Sequence, residues 1–277
     1  MEIGHQLKAC GKEGLPQTLR VSGVPYRQIH VYKHDFFAAT ARYQSVFEGG
    51  ENDSDLSQAK SVILKINRES DLFRFSMSWL GEWISKHESK NLKSLQGIAG
   101  VPRFVSRYGR CGLVYQYIAG QTLDENPVLP DEFFDQLAKL LEAIHARQMA
   151  YIDMNKRGNI IVTPNGRPYL IDFQVSWRGH TGFAVLDRLL GGILRRLQKE
   201  DIYHLNKHKR RLRPDLMSEE EMRQSRQVSV WVHLHRLCVR PLNRLRRKFL
   251  GFLYRKGHLI TDITETHPET DPSRWVA

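Results

Sequence analysis

The stretch Tyr151–Phe173 holds the residues of this chain that are best suited to chemistry. Asp153 follows a helical segment, Asn159 comes six positions later, and Asp172 ends an apolar run. Residues 164–167, between Asn159 and Asp172, read Pro-Asn-Gly-Arg, a composition typical of a hairpin turn. Such a hairpin would bring two carboxylates and an amide together. Their oxygens suit Mg²⁺, which needs few protein ligands when it also binds substrate phosphates.

A lysine in a buried strand is the second chemical signal. Residues 61–66, SVILKI, form a short apolar run typical of a buried strand, and Lys65 lies within it. Buried lysines are rare unless a partner balances their charge. The helical spacing of residues 73–95 predicts a helix that would supply this partner. Glu88 is the best candidate on that helix, and Glu82 is the alternative.

Strand patterns dominate the first two thirds of the chain, and helical patterns follow them. Strands are expected at 26–44 (two strands around a turn), 61–66, 104–106, 112–118, 159–163 and 168–173. Helices are expected at 73–95, at 133–149 and beyond residue 185. The first of these helices is expected to bury Trp79 and Trp83 in the core. Strands followed by helices predict an α+β fold with two lobes.

Taken in this order, the residues resemble the protein-kinase-like superfamily, and within it the small bacterial kinases of the lipopolysaccharide-core type. There, a catalytic loop D-x-x-x-x-N precedes a β-hairpin that ends in the metal-binding aspartate of D-F-G. The resemblance covers about Tyr26 to Phe173. It implies a bilobal protein-kinase-like fold with a small β-rich N-lobe and a reduced, mostly helical C-lobe. The implied parts are an N-terminal extension (1–25), the N-lobe with the hinge (26–118), a C-lobe with a basic helical end (119–260) and a polar tail (261–277).

The resemblance implies catalytic and metal-binding roles for the residues around the predicted hairpin. Asp153 looks like the catalytic aspartate that orients and deprotonates the acceptor hydroxyl. Asn159 and Asp172 look like the ligands of Mg²⁺ (or Mn²⁺). The spacing between aspartate and asparagine is one residue longer than usual, which leaves Asn155 as an alternative ligand. Asn159 is favoured because the strand follows it directly.

The resemblance also implies a nucleotide site. Lys65 looks like the strand lysine that contacts the α- and β-phosphates of ATP and assists catalysis, with Glu88 as its ion-pair partner. The run 113–123 looks like the hinge that connects the two lobes. There the backbone of Gln116 and Ile118 would bind adenine. ATP and Mg²⁺ are therefore the expected cofactors.

Several positions depart from the pattern of the superfamily. Tyr151 and Ile152 precede Asp153, where a histidine is usual, and Gln174 replaces the glycine of D-F-G. The segment 34–40, HDFFAAT, stands where a glycine-rich loop is usual and contains no glycine. Its backbone N–H groups are expected to hold phosphate, although less closely than a glycine loop would. No A-P-E segment follows. These departures motivate the alternative of a pseudokinase, a nucleotide-binding scaffold without turnover.

The positive charge of the chain is concentrated in its last third. The net charge is +12, and residues 178–256 hold 20 Lys and Arg against 7 Asp and Glu. Such a basic region attracts phosphate on nucleic acid, anionic lipid or a phosphorylated substrate. Residues 231–256 combine an apolar stripe at helical spacing with many arginines, as in helices that lie on anionic membranes. Two roles are open for this segment: peripheral contact with an anionic membrane, or a final helix that packs its apolar stripe on its own lobe.

The leading functional hypothesis is an ATP-dependent kinase that phosphorylates a hydroxyl of a lipopolysaccharide-core glycolipid sugar or of a protein Ser/Thr. The alternatives are the pseudokinase and a basic nucleic-acid-binding module, although no nucleic-acid motif supports the latter. The sequence has three cysteines and no run of about 18 apolar residues, the length of a membrane-spanning helix. A cytoplasmic location, peripheral on the inner face of the cytoplasmic membrane, is expected.

Overall fold

The computed structural model describes residues 8–11, 13–46, 60–71, 76–179 and 184–226, together with residues 248, 251–252 and 255–256. The predicted basic helix at 231–256 and the polar tail at 261–277 lie almost entirely outside the described residues. The described chain forms two compact units. The first contains the described residues up to Ser89, Phe104–Tyr117 and the few described residues after Val230, and the second contains Lys90–Arg103 and Ile118–Val230.

The first unit is built on a curled antiparallel sheet of six strands. These strands are β1 (Thr18–Val21), β2 (Val24–His34), β3 (Ala38–Ser45), β4 (Ser61–Asn67), β5 (Phe104–Tyr108) and β6 (Gly112–Gln116). Their order across the sheet is β1-β2-β3-β4-β6-β5. The predicted strands are confirmed. Strand β1 lies inside the predicted N-terminal extension and was missed. Its residues TLRV alternate between exposed and buried, but four residues are the shortest run that such a pattern can mark.

The position of β4 in the sheet explains why its two faces differ. On one face Val62, Leu64 and Ile66 belong to the apolar core of the first unit. Successive side chains of a strand point to opposite faces, so Lys65 lies on the other face. Helix α1 (Ser78–Ser94) follows β4 in the chain and supplies the partner of Lys65.

The buried side of α1 is polar, which overturns one prediction about this helix. Trp79 and Trp83 were expected in the core, but 63% and 62% of their surfaces are exposed. The side chains that α1 buries instead include Ser85, Glu88 and Ser89. Helical spacing alone predicts that the side with large apolar residues is buried. Here the side that faces the buried Lys65 is buried instead, because Lys65 needs a charged partner. The two tryptophans lie on another side of the helix.

The second unit contains short strands and most of the helical residues. Its elements are β7 (Gln121–Thr122), α2 (Phe133–Ala146), β8 (Met149–Ala150), β9 (Ile160–Val162), β10 (Pro168–Leu170), β11 (Trp177–Arg178), α3 (Ala184–Leu212) and α4 (Glu219–Arg226). Helix α2 is amphipathic and buries an apolar stripe that includes Leu137, Leu141 and Ile144. Strands β9 and β10 form the predicted hairpin. Gly166 in its turn has φ +73°, which a glycine adopts without strain.

The chain is therefore an α+β protein in which a six-stranded antiparallel sheet is followed by helices. This confirms the predicted class and the order of its elements. Among the described residues, no helix combines the length and the apolar character that crossing a bilayer requires.

Candidate functional site

A buried ion pair joins β4 to α1 in the first unit. The Nζ of Lys65 donates to Oε1 of Glu88 at 3.0 Å and lies 2.8 Å from Oε2. The two side chains are only 7% and 1% exposed. The alternative partner, Glu82, instead binds Arg110 and Lys86, each at 2.6 Å. Of the two glutamates, Glu88 is therefore the partner of Lys65.

The surroundings of this pair show why it needs both members. Lys65 lies opposite Thr40 of β3 and Leu113 of β6, in the interior of the sheet. Removing two charges from water costs several kcal/mol per ion, which their attraction recovers only when both are present. A buried ion pair is weak as a source of stability compared with apolar residues of the same volume. Its presence in a central strand therefore points to a functional use of the lysine.

The predicted hinge, residues 113–123, begins within β6 and continues past its end. Gln116 is the last residue of β6 and pairs with Val62 of β4. The N–H of Tyr117 donates to the carbonyl of Ser61 at 3.4 Å. Ile118 is buried and begins the second unit's main segment. Adenine binding by the backbone of Gln116 and Ile118 stays a prediction.

In the turn between β2 and β3, two backbone N–H groups donate to a side chain of the same turn. They are therefore occupied, although the backbone N–H groups of the segment 34–40 were expected to hold phosphate. The N–H groups of Phe37 and Ala38 both donate to Oδ1 of Asp35, at 2.8 and 2.9 Å. The Nζ of Lys33 lies 2.9 Å from Oδ2 of the same carboxylate. These two N–H groups were expected to hold phosphate. A phosphate could use them only by displacing Asp35.

The second unit carries the predicted catalytic group on two short 3-10 turns, Asp153–Asn155 and Arg157–Asn159. Oδ2 of Asp153 accepts hydrogen bonds from Lys156 Nζ at 2.6 Å and from Asn159 Nδ2 at 3.3 Å. The structure thus places the amide of Asn159 beside Asp153. The amide oxygen of the alternative, Asn155, accepts instead from Lys207 Nζ at 2.7 Å.

Asp153 and Asp172 influence each other electrostatically. Burial raises the pKa of the Asp153 carboxyl, Lys156 lowers it again, and the negative charge of Asp172 raises it. A raised pKa makes a carboxylate a stronger base, which suits a group that must accept a proton. A backbone hydrogen bond also connects the segments that carry Asn159 and Asp172. The N–H of Ile171 donates to the carbonyl of Asn159 at 3.0 Å.

The backbone directly before Asp153 and the backbone at Asp172 have a positive φ, which is uncommon outside glycine. Ile152, directly before Asp153, has φ +71°, and Asp172 itself has φ +63°. A β-branched residue such as Ile152 is a clear outlier there, and such strain persists only where the surrounding structure holds it. Strained backbone of this kind clusters at functional sites.

Asp201 of α3 is the group that holds the strained backbone, and the sequence analysis missed it. Its carboxylate is fully buried and accepts hydrogen bonds from the N–H of Tyr151 at 2.8 Å and of Ile152 at 2.7 Å. His145 Nε2 lies 3.0 Å from the same carboxylate. Asp201 is about 50 residues from its partners in sequence. In the sequence, Asp201 is an acidic residue within a helical stretch, Glu200-Asp201-Ile202, and nothing next to it marks it as buried.

A second buried polar group supports the segment around Asp172. The amide of Asn91, on the last turn of α1, donates to the carbonyls of Phe173 at 3.0 Å and Ser176 at 2.9 Å. The Ser176 hydroxyl donates to the carbonyl of Tyr151 at 3.0 Å. The Tyr151 hydroxyl donates to the carbonyl of Ile171. Tyr151, which lies two residues before Asp153, is thus a buried support of this loop.

The donor set around Asp153 fits a hard cation that also binds substrate oxygens. Asp153, Asp172 and Asn159 supply two carboxylates and one amide, the oxygen ligands that Mg²⁺ takes. The mutual repulsion of the two carboxylates is relieved when a cation binds between like charges. In the described part of the chain, no group of three or more His, Cys, Asp or Glu side chains could hold a metal by itself. The set therefore fits magnesium with phosphate ligands and does not fit zinc.

No model of a protein family matches the chain, and no curated protein is significantly similar to it.

Proposed function

We propose that this chain is an ATP-dependent phosphotransferase of the protein-kinase-like fold that phosphorylates a hydroxyl acceptor. The observation that carries the proposal is the buried pair of Lys65 and Glu88 on β4 and α1. It accompanies a second group, Asp153, Asn159 and Asp172, in the chain order of the superfamily. The positive φ of Ile152, directly before Asp153, and of Asp172 adds support, because such strain needs a reason to be kept.

Phosphoryl transfer suits these residues because its transition state is loose. Catalysis then consists mainly of positioning the reactants and balancing charge. Lys65, held by Glu88, would neutralise phosphate oxygens of ATP. Asp153 would orient the acceptor hydroxyl and take its proton as attack proceeds, helped by its raised pKa. Asp172 and Asn159 would hold Mg²⁺, which when bound supplies positive charge to the phosphates.

Lys156 would tune the base. Its ammonium lies 2.6 Å from the Asp153 carboxylate and lowers the pKa of that group, against the effects of burial and of Asp172. The carboxylate is therefore kept ionised while it waits for the acceptor. The acceptors expected from the resemblance are a glycolipid sugar or a protein Ser/Thr.

The test measures ATP turnover with Mg²⁺ or Mn²⁺ and, in parallel, the binding of a fluorescent ATP analogue. We expect Asp172→Ala to lower turnover by at least about 100- to 1,000-fold, the loss typical of a group that stabilises transition-state charge. Lys65→Met should weaken both turnover and binding. Asp135→Ala removes an exposed aspartate of α2 and serves as the matched control. A wild-type chain that neither binds nor turns over ATP would refute the proposal.

A pseudokinase is the second candidate, favoured by the turn between β2 and β3. Its N–H groups at Phe37 and Ala38 are occupied by Asp35, which places a negative charge where a kinase would cover the phosphates. This candidate predicts binding of the ATP analogue without turnover. Asp35→Asn should then raise the affinity for nucleotide, because it removes a competing anion.

The nucleic-acid alternative receives less support from the described part of the basic region. Several of its cations bind groups of the protein itself. Arg213 binds Asp131 and Asp215, and Lys209 lies 3.3 Å from Glu221. If nucleic acid were the partner, binding should weaken steeply with added salt.

A further inference from the structure

We propose that the acceptor of this phosphotransferase carries a phosphate group, which binds a basic cluster formed by Arg157, Lys207 and Arg211. The inference rests on the proposed function, because it assigns the cluster to the molecule whose hydroxyl Asp153 would deprotonate. All three cations belong to the second unit. The inference adds a substrate class to the proposed activity.

Hydrogen bonds place the cluster at the loop that carries Asp153. Lys207, on α3, donates its Nζ to Oδ1 of Asn155 at 2.7 Å, and Asn155 ends the turn that Asp153 begins. Arg157 begins the next turn, and its Nη1 donates to Oδ1 of Asn126 at 3.2 Å. The two cations therefore lie at the same loop. Arg157 belongs to the loop itself, and Lys207 reaches it from α3.

His208 shows that the three cations surround one point. Its ring is buried, and its Nε2 lies 2.8 Å from the carbonyl oxygen of Met154, the middle residue of the Asp153 turn. Burial, with smaller contributions from the positive charges of Lys207, Arg157 and Arg211, lowers the pKa of His208 to about 4. Arg211 follows Lys207 by four residues and His208 by three on α3, so it shares a face of the helix with them. Arg157 begins the turn that follows the one containing Met154.

Arg157 and Arg213 bind different kinds of group. Arg213 binds two carboxylates, those of Asp131 and Asp215. The hydrogen bond of Arg157 described above goes to the neutral amide oxygen of Asn126, which leaves the positive charge of its guanidinium in place. Arg211 is exposed on the surface of α3. The cluster thus presents positive charge next to the proposed base.

A phosphate group is the anion that such a cluster binds best. Guanidinium groups form paired, charge-assisted hydrogen bonds with phosphate, and ammonium groups bind it as point charges. Positive charge near an active site also attracts an anionic substrate and orients it on arrival. Holding the phosphate of the acceptor at Arg157, Lys207 and Arg211 would fix the hydroxyl relative to Asp153, which is where orientation accelerates transfer.

The experiment measures binding of glycerol 3-phosphate by isothermal titration calorimetry. The full chain is first saturated with Mg²⁺ and a non-hydrolysable ATP analogue, so that phosphate cannot enter the nucleotide site. We expect Arg211→Gln and Arg157→Gln each to weaken binding about tenfold, the loss expected for one hydrogen bond to a charged group. Arg195→Gln is the matched control, because Arg195 is an exposed arginine on the same helix. It should leave binding unchanged.

Two results would overturn the inference. Wild-type chain that binds the ATP analogue but neither glycerol 3-phosphate nor the phosphatidic-acid vesicles described below would exclude a phosphate-bearing acceptor while leaving the proposed function intact. Equal weakening by Arg195→Gln would show that only general charge matters. Failure to bind the ATP analogue refutes the proposed function, and the acceptor inference with it. Circular dichroism of each variant checks that the fold is kept, and Arg211→Gln changes an exposed side chain.

A second arm distinguishes a free phosphate from one on a lipid. Vesicles of phosphatidylcholine are offered with and without phosphatidic acid, whose headgroup is a phosphomonoester. Sedimentation with phosphatidic acid that Arg211→Gln weakens, without binding of glycerol 3-phosphate, would assign the phosphate to a lipid headgroup. Binding of glycerol 3-phosphate alone would assign it to a soluble acceptor.

Discussion

The two groups of functional residues are held in place in different ways. In the first unit, Lys65 and Glu88 lie in the interior of β4 and in α1, and their backbone is regular. In the second unit, Asp153 lies on a short turn beside Ile152, whose φ is positive. Regular elements hold the first group through their own hydrogen bonds. The second depends on side chains that are distant in sequence.

This difference has a consequence for stability. Strand and helix hydrogen bonds satisfy the backbone around Lys65 and Glu88, so the pair adds only the requirement that both charges be present. Around Asp153, buried backbone N–H groups depend on the Asp201 carboxylate. The Asp153 loop should therefore be the more fragile of the two regions, and single substitutions far from it in sequence should disrupt it.

The largest effect is expected for Asp201→Ala. The substitution leaves the buried N–H groups of Tyr151 and Ile152 without their acceptor and allows the strained backbone to relax. We expect a loss of about 3 to 5 kcal/mol in the free energy of unfolding, measured with urea and circular dichroism. Asp201→Asn keeps one acceptor oxygen and should lose less. A loss below about 1 kcal/mol for Asp201→Ala would show that the Asp153 loop keeps its conformation without Asp201. It would contradict the conclusion that this loop depends on side chains distant in sequence.

A double-mutant cycle at Lys65 and Glu88 should show a smaller net effect. Lys65→Met alone or Glu88→Leu alone leaves a buried charge unpaired, and each should cost about 3 kcal/mol of stability. The double variant removes both charges and should return to within about 1 kcal/mol of the wild type. It should still fail to bind the ATP analogue. Additive losses in the double variant would mean that the pair has no energetic coupling.

His208, which contacts the Asp153 turn, should make the stability of the chain depend on pH. Its pKa is about 4 in the folded chain, against about 6.5 for an unfolded histidine. The unfolded state therefore binds more protons between these values, so stability falls as the pH falls from about 6.5 toward 4. From pH 7 to pH 5 this amounts to about 2 kcal/mol.

Comparing His208→Gln with the wild type isolates this contribution. Glutamine can donate to the Met154 carbonyl but does not titrate, so the variant should lose less stability than the wild type when the pH falls. Urea midpoints at pH 5 and pH 7 give the measurement. Identical pH dependence in the two proteins would mean that His208 titrates normally, and the cations around it would then lie farther away.

Much of the local architecture could be predicted from the sequence. The apolar run at 61–66, the turn residues at 164–167 and the apolar period of α2 each specify an element within a few residues of itself. Lys65 and Glu88 could be paired in advance because a lysine in a buried strand needs a counter-charge. Where that reasoning used apolar size alone, it was wrong, as Trp79 and Trp83 show.

By itself the sequence determined the α+β class, the order of strands and helices, and the residue types able to bind phosphate and metal. These features depend on periodicity and on chemistry within short segments. Only the tertiary structure decided that Asp201 holds the Asp153 loop and that Asn159, and not Asn155, lies beside Asp153. It also decided that Asp35 occupies the N–H groups of its turn. The physical reason is that buried polar groups take whichever partner the packing brings to them, and no local pattern records that choice.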